Sequence, residues 1–271
     1  MRRFDAPDGT DLAYRDEGEG RAVLCLPGLT RDSRDFDYLA PHLAGVRLVR
    51  LDPRGRGASD RAGPSTYTVP HEARDALALL DHLGIDRAAI LGTSRGGLLA
   101  MTLAVAAPDR LAGACLVDIG PVIAPEGLDA IMGYLGRRPP HATIEEAVAA
   151  RPAVMRGFEG VPAARWRQEV EKFVVVTEDG LDIPYDPRLR DAVVEAGAQP
   201  VPDLWPLFEA LPRPLAALRG ANSDLLSSEA FAEMRRRRPD MIAAEVPGRG
   251  HVPFLDEPES LEVIRAWVSR L

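Results

Sequence analysis

Apolar positions along this chain fall into two rhythms. Short, mostly apolar runs at 22–26, 46–51, 88–91, 114–117, 214–218 and 241–246 have the length of strands covered on both faces. Between them, apolar residues recur at helical spacing. Val69, Ala73, Ala76, Leu77, Leu80 and Leu83 predict a helix over 67–83 that stops at Gly84. Shorter helices are expected at 35–43, 98–107 and 227–236, with a closing amphipathic helix at 257–271. Two alternating segments at 2–6 and 11–16 flank Asp8-Gly9, a hairpin-turn signal. Alternation of buried strands with helices predicts an α/β fold: a mostly parallel, twisted sheet with helices on both faces.

From 119 to 206 the rhythm changes. Proline and glycine become frequent, and helical patterns at 126–135, 144–151 and 163–173 carry the segment, with one further strand signal at 173–177. Met155, Phe158, Trp166 and Phe173 need a surface to pack on, so this is a helical insertion rather than a linker. The core is then 1–118 together with 207–271, and the insertion 119–206.

With 271 residues and 46% hydrophobic composition, the chain can bury a sizeable core. Its net charge of −8 argues against nucleic acid as a partner, since phosphate recognition needs a basic face. The basic run Arg235–Arg238 ends an expected surface helix, where cations favour the helix dipole. The N-terminal residues lack the apolar stretch of a signal peptide, and no apolar run reaches the ~20 residues of a membrane span. A soluble, cytoplasmic protein is expected. Cys25 and Cys115 lie in apolar runs and read as small buried hydrophobes. Neither a zinc-type cluster nor a dinucleotide fingerprint is present, so no metal and no cofactor is expected.

The stretch Gly92-Thr93-Ser94-Arg95-Gly96-Gly97 joins an apolar strand to an apolar helix with a serine at the apex. Such a turn crowds the serine backbone and needs glycines on both sides. It presents the hydroxyl at a helix N-terminus, whose free N–H groups can stabilise an anion. A serine hydroxyl becomes nucleophilic only with a base beside it, and the base needs an orienting carboxylate. His251 follows the strand at 241–246 through Pro247–Gly250, and Asp224 follows the strand at 214–218. Each stands just past a strand end, where open α/β sheets place their sites. Asp118, in Val117-Asp118-Ile119-Gly120-Pro121, is the rival carboxylate. His42, His71, His82 and His141 fall on helices or in the insertion and are not expected to do chemistry.

At these residues the chain resembles the α/β-hydrolase-fold serine hydrolases and esterases, over nearly its full length. Leu26-Pro27-Gly28-Leu29 resembles the loop that supplies one oxyanion donor. Asp52-Pro53-Arg54-Gly55-Arg56-Gly57-Ala58-Ser59-Asp60 resembles the Asp-x-Arg-Gly-x-Gly-x-Ser loop, and Gly250-His251-Val252-Pro253 the histidine loop. The insertion falls where that family carries its helical cap. The resemblance implies Ser94 as nucleophile, His251 as base and Asp224 as acid, with the backbone N–H groups of Leu29 and Arg95 as the oxyanion hole. It implies a cofactor-independent hydrolase of carboxylic esters of small acids or alcohols, acting through an acyl-enzyme. Carbon–carbon bond hydrolases, enol-lactonases and a ligand receptor or sensor on the same fold are the alternatives. The family's strand order also keeps Cys25 and Cys115 apart, with the Ser94 strand between them. Asp52 and Arg54 are expected to brace their loop. Pro27 and Arg95 depart from commoner residues. The Arg95 side chain either pairs with a carboxylate under the sheet edge or faces the pocket and favours an acidic substrate.

Overall fold

The chain enters through a hairpin, β1 (Arg2–Asp5) and β2 (Asp11–Glu17), turning at Asp8-Gly9 with Gly9 at φ +82°. The computed structural model describes residues 1–200 and 202–271; position 201, inside the expected insertion, lies outside the described residues. The main sheet continues through β3 (Arg21–Leu26), β4 (Val46–Leu51), β5 (Ala88–Thr93) and β6 (Leu111–Val117). A separate two-stranded hairpin, β7 (Val175–Thr177) and β8 (Gly180–Asp182), lies in the insertion, and β9 (Leu215–Gly220) and β10 (Ile242–Val246) complete the main sheet. Its order is β1-β2-β4-β3-β5-β6-β9-β10, antiparallel at the first two pairings and parallel thereafter.

Both faces are covered, which is why the central strands read as nearly continuous apolar runs. On β3, Leu24 and Leu26 join one core cluster, while Val23 and Cys25 join the other. The first face is packed by α1 (Val69–His82) and α2 (Arg95–Ala106), the second by the closing helix at Pro258–Val268. Thr68 caps α1 by accepting the His71 N–H at 3.3 Å. Cys25 pairs with Leu91 across to Cys115, one full strand apart, so their Cα atoms stand about 10 Å apart, too far to bridge. Burial pushes the Cys115 thiol up to about 12, as it raises that of Cys25.

The expected helix at 35–43 is instead two 3₁₀ turns, Ser33–Phe36 and Ala40–His42. Asp32 caps the first, and Pro41 cannot donate the hydrogen bond that would join them. Between β6 and β9 run α3 (Pro125–Tyr134), α4 (Ile144–Val154), α5 (Ala163–Phe173), α6 (Leu189–Gly197) and α7 (Trp205–Glu209). The strand signal at 173–177 is realised in β7, which pairs only with β8. Phe158 and Trp166 of this segment pack edge-on or tilted against Phe254, with centroids 5.3 and 6.2 Å away. At the basic end of α8 (Ser228–Arg237), Arg236 and Arg237 pair with Glu233, and Arg238 just beyond it with Asp240. Among the described residues no helix is long and apolar enough to cross a membrane.

Candidate active site

Ser94 stands at the C-terminal end of β5, in the middle of the sheet, with φ 50° and ψ −113°. A non-glycine residue holds this left-handed φ only when its surroundings enforce it. Here the Ser94 N–H donates to Val117 O at 2.9 Å, and Ser94 O accepts from Gly97 N–H at 2.9 Å. A side chain on Gly92 would strike the Gly96 backbone, and one on Gly96 would strike the Leu26 carbonyl. The two glycines therefore let the turn close.

His251 reaches this serine from the loop after β10. Its Nε2 lies 2.9 Å from Ser94 Oγ, and its Nδ1 lies 2.6 Å from Asp118 Oδ2. An ionised carboxylate only accepts, so the hydrogen-bond network assigns the proton to Nδ1 and leaves Nε2 to accept from the serine hydroxyl. Asp118 is fully buried at the end of β6, with φ 53°. Its Oδ1 accepts the Gly220 N–H at 2.7 Å, and its Oδ2 also accepts the Ser223 hydroxyl at 2.6 Å.

The expected partner of His251, Asp224, is therefore corrected: the carboxylate on the imidazole is that of Asp118. The physical reason is the path of the chain after β9. Ser223 N–H donates back to Gly220 O at 2.9 Å, closing a tight turn that aims the Ser223 hydroxyl at Asp118. The next residue is carried past the imidazole toward α3, where its carbonyl faces Gly127. Ser223 itself carries no sequence motif that marks it as a partner of the buried carboxylate.

Leu29 and Arg95 flank Ser94. Arg95 opens α2, so its N–H has no intrahelical acceptor. Gly28 is close enough that a Cβ there would lie 3.8 Å from Ser94 Cβ, which brings the following N–H, that of Leu29, beside the serine. Among the described residues neither N–H donates to a protein oxygen.

One buried carboxylate connects the two sides. Glu72 on α1 binds Arg56 at 2.7 Å and Arg95 Nε at 2.6 Å, while Arg56 Nε donates to Leu29 O at 2.8 Å. Burial alone would raise the Glu72 carboxyl, but Arg56 and Arg95 outweigh it and hold it below its ordinary value. The Arg95 side chain also donates to Tyr67 O at 2.9 Å. Of its two expected roles, it takes the carboxylate pairing under the sheet edge. Asp52 and Arg54 brace their loop: Asp52 accepts the Ser33 and Ala58 N–H groups, and Arg54 forms a two-pronged pair with Asp75 at 2.6 Å.

Residues 157–159 lie against the histidine loop. Asn222 Nδ2 donates to Gly157 O at 3.0 Å, Glu159 N–H to Gly248 O at 3.0 Å, and Arg249 Nη1 to Glu159 O at 3.0 Å. Behind His251, Glu257 accepts the N–H groups of Phe254 and Leu255, both at 2.9 Å. A shallow depression lined by Asp81, Asp86, Arg87, Asp109 and Arg110 opens at the opposite, N-terminal ends of β5 and β6, away from this chemistry.

The sequence model of the family described as "alpha/beta hydrolase fold" matches residues 21–170. The chain is 35% identical over 265 residues to a 3-hydroxybutyrate-oligomer hydrolase of Cupriavidus necator, covering 93% of this chain and 90% of that one. It is 30% identical over 252 residues to a 2-(acetamidomethylene)succinate hydrolase of Mesorhizobium japonicum, covering 92% and 87%. The crystal structure of an alpha/beta hydrolase from Novosphingobium aromaticivorans superposes with a TM-score of 0.92 at 41% identity, covering 100% of this chain and 98% of that one.

Proposed function

The chain belongs to the α/β-hydrolase family, and from that membership we propose that this hydrolase cleaves carboxylic esters of small acids or alcohols through an acyl-enzyme on Ser94. The observation that carries the reading is His251 standing between Ser94 Oγ, at 2.9 Å, and Asp118 Oδ2, at 2.6 Å.

In this reading His251 Nε2 takes the hydroxyl proton as Ser94 Oγ attacks the ester carbonyl carbon. Asp118 holds the imidazole in the required tautomer and stabilises the imidazolium. Negative charge moves to the carbonyl oxygen, where the N–H groups of Leu29 and Arg95 receive it. Such a donor contributes about 3–4 kcal/mol to the transition state. The C–O bond then breaks, and the leaving alcohol takes the proton from His251. A water molecule, deprotonated by the same imidazole, attacks the acyl-enzyme; the acid leaves and Ser94 regains its proton.

Residues 119–206 act as a cap that shapes the substrate cleft, supported by their hydrogen bonds to the histidine loop. The relatives are named for 3-hydroxybutyrate oligomers and for 2-(acetamidomethylene)succinate, which favours a small-molecule substrate here. The test is turnover of p-nitrophenyl acetate and butyrate by the wild type and by Ser94→Ala. Loss of at least about 1,000-fold in the variant is expected. A rate unchanged by the substitution refutes the nucleophile assignment.

A further inference from the structure

We propose that the cleft over Ser94 takes an ester bearing a free carboxylate, which Arg151 binds with Arg31 beside it; this rests on Ser94 being the nucleophile.

The first observation is a cation without a direct ion pair among the described residues. Arg151 sits in the last turn of α4, its Nε buried and without an acceptor. Among the described residues it forms no salt bridge. Desolvation, together with repulsion from Arg31, lowers its guanidinium to about 10. The carboxylates of this cluster are Asp35 and Glu169, and Glu169 attracts Arg151 without a hydrogen bond to it. Asp35 binds Arg31, and Glu169 faces Arg31 at 3.2 Å and Lys172 at 3.6 Å.

The second observation is convergence. Arg31 and Arg151 both stand over the Phe173 ring, their guanidinium carbons 3.5 and 4.5 Å from its centroid. The two cations repel each other, and Glu169 attracts both. The Tyr134 hydroxyl lies among Thr30, Arg31, Arg151 and Asp224, while half of the Tyr134 surface stays open to solvent. That is the behaviour of a side chain lining a cleft.

The third observation is position. A Cβ built on Gly28 would lie 3.3 Å from Arg31 Cγ and 3.8 Å from Ser94 Cβ, so the Arg31 stem and Ser94 border the same glycine. An ester seated on Ser94 with a short carboxylate-bearing chain meets this group. The planar guanidinium donates two parallel hydrogen bonds to a carboxylate, and the apolar end of a neutral ester leaves Arg151 unpaired, so the site discriminates by charge. The acidic-substrate idea attached to Arg95 in the sequence thus moves to the cap side of the cleft.

The experiment has two arms. In the first, kcat/KM is measured for mono-p-nitrophenyl glutarate and for p-nitrophenyl butyrate with the wild type, Arg151→Met and Arg151→Lys at fixed ionic strength. Arg151→Met is expected to lower the glutarate-to-butyrate ratio about 30-fold, and Arg151→Lys to restore part of it. An unchanged ratio overturns the proposal. In the second arm, Ser94→Ala is titrated calorimetrically with monomethyl glutarate and with methyl butyrate, with and without Arg151→Met. Binding of the carboxylate ester alone, lost with Arg151, supports the site. No binding, or binding that survives Arg151→Met, overturns it. This arm needs no turnover, so it stands even if Ser94 proves not to be the nucleophile, which the first arm's wild-type rates reveal separately. Arg151 has no salt bridge to lose, and an unchanged circular dichroism melt confirms that the variant is folded.

Discussion

His251 Nδ1 and Asp118 Oδ2 stand 2.6 Å apart, joining residues 133 positions apart in the chain. Asp118 is anchored to β9 through Gly220 and Ser223 before it meets the imidazole. The histidine loop is therefore oriented by a carboxylate fixed inside the sheet rather than by one on a surface loop.

Asp118→Asn is expected to lower kcat about 10,000-fold on p-nitrophenyl butyrate, since the amide no longer selects the tautomer. Asp224→Asn should change it less than about threefold. Steady-state kinetics of the two variants decide, and the reverse ranking would return the acid role to Asp224.

Ser223→Ala removes the hydroxyl that donates to Asp118 Oδ2 at 2.6 Å. The carboxylate keeps the Gly220 N–H but gains freedom to turn. A fall in kcat of about tenfold with KM little changed is expected. An unchanged kcat would show that Gly220 and His251 suffice to hold it.

Glu72→Gln breaks a buried pair and leaves Arg56 with an uncompensated charge. A loss of about 3 kcal/mol in unfolding free energy is expected by denaturant titration. The sign with pH follows from the lowered carboxyl. The ion pair's contribution is fully present above the unfolded value of about 4.5 and is lost as pH falls through the lower folded value. The gap between wild type and variant should therefore narrow in acid; a gap that widens below pH 4 contradicts the pairing.

Arg95→Met removes the side chain from Glu72 but keeps the backbone N–H. Turnover of neutral and carboxylate-bearing esters should fall by the same factor. A selective loss for the acidic ester would place the Arg95 side chain in the substrate cleft after all.

Much of this protein is written locally. The turn at Ser94 is dictated by Gly92 and Gly96, because a side chain at either position collides with backbone that the turn brings close. The parallel core is legible because strands covered on both faces must be apolar throughout, as β5 and β6 are. His251 is legible because it follows a strand end in a glycine-rich loop.

What the tertiary structure alone decided is the set of partners. Asp118 and Asp224 both follow strands that end at the same sheet edge, and β6 and β9 are neighbours, so sequence position cannot rank them. The choice depends on which carboxylate the φ 53° backbone at Asp118 and the Gly220–Ser223 turn direct at the imidazole. Likewise, Arg95, Arg31 and Arg151 are alike as residues in a sequence. Only packing gives Glu72 to Arg95 and Asp35 to Arg31, and leaves Arg151 without a salt bridge among the described residues. Local rules act through neighbouring atoms along the chain, whereas charge pairing is settled between segments that meet only in the folded molecule.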